Sequence, residues 1–355
     1  YKPGDIRIDA GYTIFYMSIN IGSMLGFLVC GYLGEKVGWH WGFGAAGVGM
    51  TFGVIQYIFS RKSLGEAGLK PNLEIGEDNS NYKKIFYSAL IVLILVIASN
   101  FLGLWSINAE FLNQLTVYAI LLVALLYFTH LFFFAGLNKK ERENISMFLL
   151  LFLGSVLFWA GFDQGGSSLN LFAKDYTDLY IFGWEMPATF LQVANPLMVV
   201  IFAPFFASFW INLGRKNMDF DTPEKFALGC FLMAVGFCVI ILGVEVAMDN
   251  EKAGVKWLLI TYLFHTLGEL CLSPVGLAAT SKYSPKKYKG QMMGLWFLSS
   301  SLAAGVAGLL ASKSFESGIE SMPALFNQVI FGLVLIGVVL LIANKYIKGN
   351  PVTED

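Results

Sequence analysis

Residues 146–173, SMFLLLFLGSVLFWAGFDQGGSSLNLFA, form an apolar stretch in which Asp163 is the one charged side chain. A helix that crosses the roughly 30 Å hydrocarbon core of a bilayer needs about 20 mostly apolar residues, because its backbone groups must hydrogen-bond within the segment. The stretch is therefore predicted to be a transmembrane helix. The Asp163 carboxylate is a candidate functional group, because a charge at mid-membrane costs a few kcal/mol or more.

Nine further apolar stretches of this kind occur along the chain of 355 residues, of which 56% are apolar and 14% are charged. This composition excludes an ordinary soluble domain and predicts an all-α polytopic membrane protein with ten spans. The other nine predicted spans are residues 12–33, 41–60, 85–105, 115–137, 187–210, 225–246, 256–281, 290–312 and 324–347.

The 24 Lys and Arg residues are distributed unevenly between the two sets of alternating loops. The first set, which includes both ends of the chain, contains 19 of them. The other five are Lys36, Lys174, Lys252, Lys256 and Lys313. Because short cytoplasmic loops retain positive charge, we expect both chain ends on the cytoplasmic side. The net charge of -1 gives no indication of nucleic-acid binding.

The four cysteines each lie inside an apolar stretch, and their positions show no metal-ligand spacing. They are Cys30, Cys230, Cys238 and Cys271. We interpret them as buried structural residues, and no metal or cofactor site is predicted.

A second carboxylate, Glu269, is predicted near the middle of span 256–281. His265 and Ser273 lie on the same helix face, four residues before and after it. A proline follows Ser273 directly, and Asn195-Pro196 repeats the combination in another span. Transporters build mid-membrane sites from discontinuous helices of this type. Two interpretations stay open for each carboxylate: a structural ion pair or hydrogen bond between helices, and a transport site.

The segment FYMSINIGS, residues 15–23, resembles the FYxxINxGSL signature in the fifth helix of the proton-dependent oligopeptide transporters, a family of the major facilitator superfamily. Met replaces the final Leu of that signature. Residues 38–50 resemble the entry to the family's sixth helix, and residues 268–277 and 293–298 resemble its tenth and eleventh helices. These motifs occur in the family's order over nearly the whole chain.

The resemblance implies the major facilitator fold, in which two six-helix bundles are separated, in bacterial members, by two inserted helices. Residues 1–60 would be the last two helices of the N-terminal bundle and 61–84 a cytoplasmic linker. Residues 85–137 would be the inserted helices, which we expect to be surrounded by lipid, and 138–355 the C-terminal bundle with a short tail. The family's first four helices, with their ExxER motif and helix-four lysine, are expected to be missing. The chain alone is therefore not expected to transport.

The resemblance also implies a symporter, and not an enzyme, that imports di- and tripeptides with protons across the bacterial inner membrane. Its partners would be short peptides, protons and membrane lipids. The residues that the resemblance assigns to substrate binding are Tyr16, Asn20, Trp159, Asn195, Glu269, Ser273 and Trp296. Of these, Asn20, Asn195 and Glu269 are expected to hold the peptide amino terminus and backbone. Asp163 is expected to be the proton-coupling site.

Three other classes of protein are alternatives. An intramembrane aspartyl protease uses YD and GxGD motifs, whereas this chain has Phe162-Asp163 and Gly268-Glu269. A non-transporting receptor would tolerate apolar replacements of both carboxylates. A related carrier for nitrate or another small solute shares the fold, but a carboxylate suits an amine rather than an anion, which favours peptides.

Overall fold

The computed structural model describes residues 17–65, 80–103, 108–216, 218 and 220–347. Helices dominate these residues. They are α1 Met17–Val37, α2 Trp39–Ser60, α3 Ser80–Phe101, α4 Ala109–Phe133, α5 Lys139–Phe162, α6 Ser168–Tyr176, α7 Ala194–Arg215, α8 Thr222–Asn250, α9 Lys256–Tyr283, α10 Lys289–Ser317 and α11 Met322–Tyr346. The predicted all-α polytopic membrane architecture is confirmed.

Eight helical segments in the described part of the chain are long and apolar enough to cross a bilayer. They are α1, α2, α4, α5 together with α6, α7, α8, α10 and α11. The other two predicted spans correspond to α3, whose apolar part is Phe86–Asn100, and to α9. Helix α9 has 28 residues, which at about 1.5 Å per residue give a length of roughly 42 Å.

The span predicted at 146–173 is not one continuous helix. Helix α5 ends at Phe162, Asp163–Gly166 form a single 3-10 turn, and α6 begins at Ser168. Two consecutive glycines, 165 and 166, lie in this turn, and glycine is the residue that least favours a continuous helix apart from proline. Asp163 therefore lies at a helix break and not within a regular helix.

Gln164 holds this break against the neighbouring helix α10. Its side chain is fully buried, and its Nε2 donates hydrogen bonds to the carbonyls of Ala160 (3.2 Å) and Ala307 (3.3 Å). The Ser168 hydroxyl donates to its Oε1. Buried polar groups need such partners. The hydrogen bonds of Gln164 therefore fix the backbone conformation of the turn that contains Asp163.

The proline after Ser273, which the sequence suggested as an interruption, does not break its helix. Helix α9 is α-helical through Pro274, and α7, which begins at Ala194, is α-helical through both Pro196 and Pro204. The expectation of a discontinuous helix at Pro274 is therefore wrong. A proline removes one backbone hydrogen bond, and neighbouring helices allow membrane helices to tolerate that loss.

Helices α8 and α9 pack closely at two glycines, Gly229 and Gly268, next to Glu269. A Cβ atom on Gly268 would lie 2.7 Å from the carbonyl oxygen of Gly229, and one on Gly229 would lie 2.9 Å from that of Gly268. Small residues allow helix backbones to approach in this way in membrane proteins. Glu269 follows Gly268 directly, so its backbone lies at a close contact between α8 and α9.

Helix α4 has one buried face, formed by Val117, Ala124, Phe128 and Leu131. The Phe128 ring lies 5.6 Å from that of Phe152 on α5, measured between centroids. The expectation that lipid surrounds this helix is therefore wrong for that face. The sequence did not show this buried face, because leucine and other apolar side chains occupy lipid-facing and protein-facing positions of a membrane helix equally well.

The described residues divide into two compact units. The first contains the residues from Met17 to Phe43 together with those from Thr116 onward, and the second contains Gly44–Leu115. All described residues of the candidate site lie in the first unit.

Among the described residues, four two-residue strands lie in the connections between helices. They are β1 Thr177–Asp178, β2 Tyr180–Ile181, β3 Trp184–Glu185 and β4 Ala253–Gly254. Strand β1 pairs in parallel with β4, and β2 pairs antiparallel with β3.

The C-terminal end of α1 is tied to the 3-10 segment Ala188–Val193, which leads into α7. The two carboxylate oxygens of Glu35 accept hydrogen bonds from the backbone N–H groups of Ala188 (2.9 Å) and Thr189 (3.0 Å). Next to it, Lys36 Nζ lies 2.9 Å from Glu185 Oε2, and this hydrogen bond lowers the pKa of the Glu185 carboxyl. Helix N-termini bind carboxylates in this manner.

We expect Glu35→Ala to lower the melting temperature of the purified protein, because two backbone donors lose a charged acceptor. Hydrogen bonds to charged groups contribute about 1.5–3 kcal/mol each. Glu185→Ala is the matched control, since its ion pair with Lys36 is exposed and surface pairs contribute little. Thermal unfolding in detergent measures both variants. Equal melting temperatures for the two variants would contradict this interpretation of the Glu35 contact.

Candidate binding site

A cavity of about 470 Å³ lies beside the break that follows α5. Its walls come from α1, from the 163–167 break, from α7 and the segment before it, and from α9 and α10. The lining residues that bear polar side chains are Asp163, Ser167, Gln192, Asn195, Tyr262 and His265. Two of the residues predicted from sequence, Asp163 in the break and Asn195 on α7, thus border one cavity.

Asn195 and Glu269 form a direct contact between α7 and α9. The Asn195 Nδ2 donates one hydrogen bond to Glu269 Oε2 (3.0 Å) and another to Thr266 Oγ1 (2.9 Å). Glu269 is 8% exposed and Thr266 is fully buried. The sequence predicted both members of the pair as substrate-binding residues, and the structure brings their side chains together.

Asp163 is half-buried at the break, next to Phe162. It is the one carboxylate among the described residues that line the cavity, and none of those residues is Lys or Arg. A carboxyl group in an apolar environment is stabilised either by a nearby cation, when it is ionised, or by a bound proton, which makes it neutral. The position of Asp163 therefore suits a group that gains and loses a proton.

Two buried polar atoms beside the cavity lack a hydrogen-bond partner among the described residues. They are Tyr262 Oη and His265 Nε2. The His265 ring packs against Phe237, with 4.8 Å between the ring centroids. His265 lies four residues, or about one helical turn, before Glu269 on α9.

Trp159 lies one turn before Asp163 and is half-buried. Its ring meets those of Phe158 and Phe162 edge to face, with centroids 5.5 Å and 5.1 Å apart. It therefore belongs to an aromatic cluster that continues to the cavity through Phe162.

Trp296 is 7% exposed and packs between two aromatic residues of neighbouring helices. Its ring centroid lies 6.2 Å from that of Phe148 and 6.0 Å from that of Phe226. A Cβ atom on Gly276 would lie 2.3 Å from the Trp296 ring, so position 276 on α9 has room only for glycine. Trp296 is not among the residues that line the cavity.

The remaining predicted residues are distributed over two helices. Asn20 is buried on α1, and Ser273 is half-buried on α9, one turn beyond Glu269. Tyr16 lies outside the described residues.

Sequence reasoning missed Thr266, Gln192 and Tyr262. Thr266 lies three residues before Glu269, so helical spacing places it on the Glu269 face, and this signal could have identified it. Gln192 Nε2 donates to Asn170 Oδ1 (3.0 Å) and joins the segment before α7 to α6. No sequence pattern indicated that contact.

The profile of the family described as POT, the proton-dependent oligopeptide transporters, matches residues 1–323. The chain belongs to the POT family. Its curated relatives include the peptide transporter YePEPT of Yersinia enterocolitica, which is 36% identical over 353 residues covering 96% of this chain and 68% of that protein. They also include a di-/tripeptide transporter of Lactococcus lactis, which is 28% identical over 97% of this chain and 70% of that protein.

Solved POT structures have the same fold. A crystal structure of a peptide transporter POT in complex with sulfate superimposes with a TM-score of 0.87 at 34% identity, over 98% of this chain and 70% of that one. A POT family transporter in complex with 5-aminolevulinic acid gives a TM-score of 0.84 at 28% identity, over 98% of this chain and 71% of that one. The POT membership predicted from the motifs is therefore confirmed, and the chain is a membrane transporter rather than an enzyme.

Proposed function

We propose that this POT chain serves the proton-driven import of di- and tripeptides, and that the Asn195–Glu269 pair binds the peptide amino terminus. The observation that carries the proposal is this pair, held at 3.0 Å next to a cavity of about 470 Å³. Named relatives are peptide and di-/tripeptide transporters.

The chemistry of the pair suits an ammonium group. Glu269 supplies a countercharge in a buried position, where a charge-assisted hydrogen bond is stronger than at a surface. Asn195 supplies an amide, and Asn20 on α1 would supply another. These groups recognise features that all peptides share, so they fix the backbone without selecting a side chain. One structural relative was solved with 5-aminolevulinic acid, which also bears an amino group.

Ser273 and Trp296 are not among the described residues that line the cavity of about 470 Å³. We propose that, with Tyr16, they line a larger peptide cavity of the whole transporter, and that Trp159 borders a pocket for a peptide side chain. The aromatic contacts between Trp159 and Phe162, and the place of Phe162 in the cavity wall, support the latter role.

Asp163 is proposed as the proton-coupling site. It is half-buried at a helix break, and no Lys or Arg is among the described residues that line its cavity. Its cationic partner would come from the family's first four helices, which also carry the ExxER motif and the helix-four lysine. The relatives contain sequence beyond the matched region, since the chain covers 68–70% of their length. Transport is proposed to require those helices.

The proposal is tested with the protein as its gene encodes it, reconstituted into proteoliposomes. Labelled dialanine and labelled nitrate are supplied in parallel under an inward proton gradient. We expect uptake of the dipeptide and none of nitrate above the level of empty liposomes. Nitrate uptake without dipeptide uptake would replace the peptide function with an anion carrier, and uptake of neither would favour a receptor.

Membrane lipids are proposed to surround the apolar faces that protein does not cover. On α3 the side chains of Phe86 and Leu95 are 63% and 62% exposed, and on α11 Phe331 is 69% exposed. Exposed apolar side chains at this density are typical of a bilayer-facing surface.

We further propose that the loops rich in Lys and Arg lie in the bacterial cytoplasm, so that both chain ends face inward. In a background without the four native cysteines, single cysteines at the exposed positions Ser63 and Lys140 should react with a membrane-impermeant maleimide only in inside-out vesicles. A cysteine at the exposed Asn250 should react only in intact cells. Labelling of Ser63 and Asn250 from the same side would contradict this orientation.

A further inference from the structure

The Asn195 amide group has both of its N–H hydrogens engaged. Its Nδ2 donates to Thr266 Oγ1 at 2.9 Å and to Glu269 Oε2 at 3.0 Å. Its Oδ1 accepts no hydrogen bond from the described residues, and Asn195 lines the cavity. A ligand in the cavity therefore meets an acceptor on Asn195 and not a donor.

Thr266 fixes this orientation because its own proton is already used. The Thr266 hydroxyl donates to the backbone carbonyl of Tyr262 at 2.7 Å, so its Oγ1 has only lone pairs to offer Asn195. A flipped amide would place Asn195 Oδ1 about 3 Å from Oγ1, where two acceptors face each other without a proton between them. Thr266 is fully buried, so water cannot relieve that conflict.

Glu269 alone would hold the amide less reliably. An ionised carboxylate only accepts hydrogen bonds, whereas a protonated one can also donate. A protonated Glu269 could therefore pair with either end of the Asn195 amide. The Thr266 hydroxyl does not change its protonation, so in this arrangement it selects the same end of the amide whether Glu269 is ionised or protonated.

We propose that Thr266 is a positioning residue, which keeps Asn195 Oδ1 directed at the cavity so that it accepts a hydrogen bond from the ammonium group of the peptide. The inference rests on the proposed peptide function. It assigns to Thr266 an effect on the recognition of a free amino terminus, through Asn195, and no direct contact with the substrate.

The test compares Thr266→Val, which keeps the shape but removes the acceptor, with Thr266→Ser, which restores it. In proteoliposomes containing the protein as its gene encodes it, we expect Thr266→Val to raise the KM for dialanine about tenfold, the effect of losing one such hydrogen bond. The maximal rate per reconstituted protein should stay within about twofold. Thr266→Ser should return the KM to within about twofold of the original protein.

A double-mutant cycle with Asn195→Ala separates positioning from packing. If Thr266 acts through Asn195, Thr266→Val should have no further effect on KM once Asn195 is Ala. An unchanged KM in Thr266→Val, failure of Thr266→Ser to restore the KM, or full additivity in the cycle would each overturn the inference. Absence of dipeptide uptake by the unmodified protein would instead refute the proposed function.

Discussion

Replacement of Asp163 by Asn is expected to abolish concentrative uptake of dipeptides while leaving exchange between two loaded sides intact. A membrane potential of 100 mV supplies about 2.3 kcal/mol per coupled proton, which corresponds to roughly 50-fold accumulation. Asn cannot exchange a proton, so the gradient no longer biases the conformational cycle. Exchange requires no net proton movement and should continue. Uptake and counterflow of labelled dialanine in the same proteoliposomes measure the two activities.

Asp175→Asn is the matched control, because Asp175 is an exposed aspartate on α6, shortly after the break. It should accumulate dipeptide as the unmodified protein does. If Asp163→Asn still concentrates dipeptide against its gradient, the coupling site lies on another residue. If exchange is lost together with accumulation, Asp163 acts in substrate binding or in structure rather than in coupling.

Replacement of Glu269 by Gln is expected to weaken the binding of free-amine dipeptides by about 2 kcal/mol or more, or roughly 30-fold. The reason is that the buried ammonium group of the peptide loses its countercharge. The Gln amide has nearly the same volume as the Glu carboxylate, so the packing is kept. Dipeptides with an acetylated amino terminus have no ammonium and should lose much less. Competition against labelled dialanine measures the affinities of both ligands.

Glu245→Gln is the control for this variant, since Glu245 is a glutamate within the apolar helix α8 but is exposed. It should leave both affinities unchanged. An equal loss of affinity for free and acetylated dipeptides in Glu269→Gln would show that Glu269 is structural.

The predicted helices depended on apolar length alone, which is why the sequence located them well. Length does not reveal how a span is interrupted. Residues 163–166 lie between two apolar segments, so they were assigned to one helix, although Gly165 and Gly166 favour a break. Pro274 was interpreted as an interruption, but packing of α9 against its neighbours preserves the helix.

Sequence predicted those residues of the candidate site whose side chains are energetically costly to place in a membrane. Asp163 and Glu269 are exceptional in apolar spans, and Asn195 precedes a proline within one. Helical spacing places Thr266 on the Glu269 face, but its contact with Asn195 appears only when α7 brings that side chain within 2.9 Å of it. Contacts of this kind depend on tertiary packing, which helical periodicity does not encode.

The most direct test of the account is whether protons enter together with a dipeptide. The protein as its gene encodes it is reconstituted into proteoliposomes that contain a pH-sensitive dye and are held at a negative internal potential. Addition of dialanine outside is predicted to acidify the interior, and addition of nitrate is predicted to leave the internal pH unchanged. Dipeptide uptake without acidification, or acidification driven by nitrate instead, would contradict a proton-coupled peptide transporter.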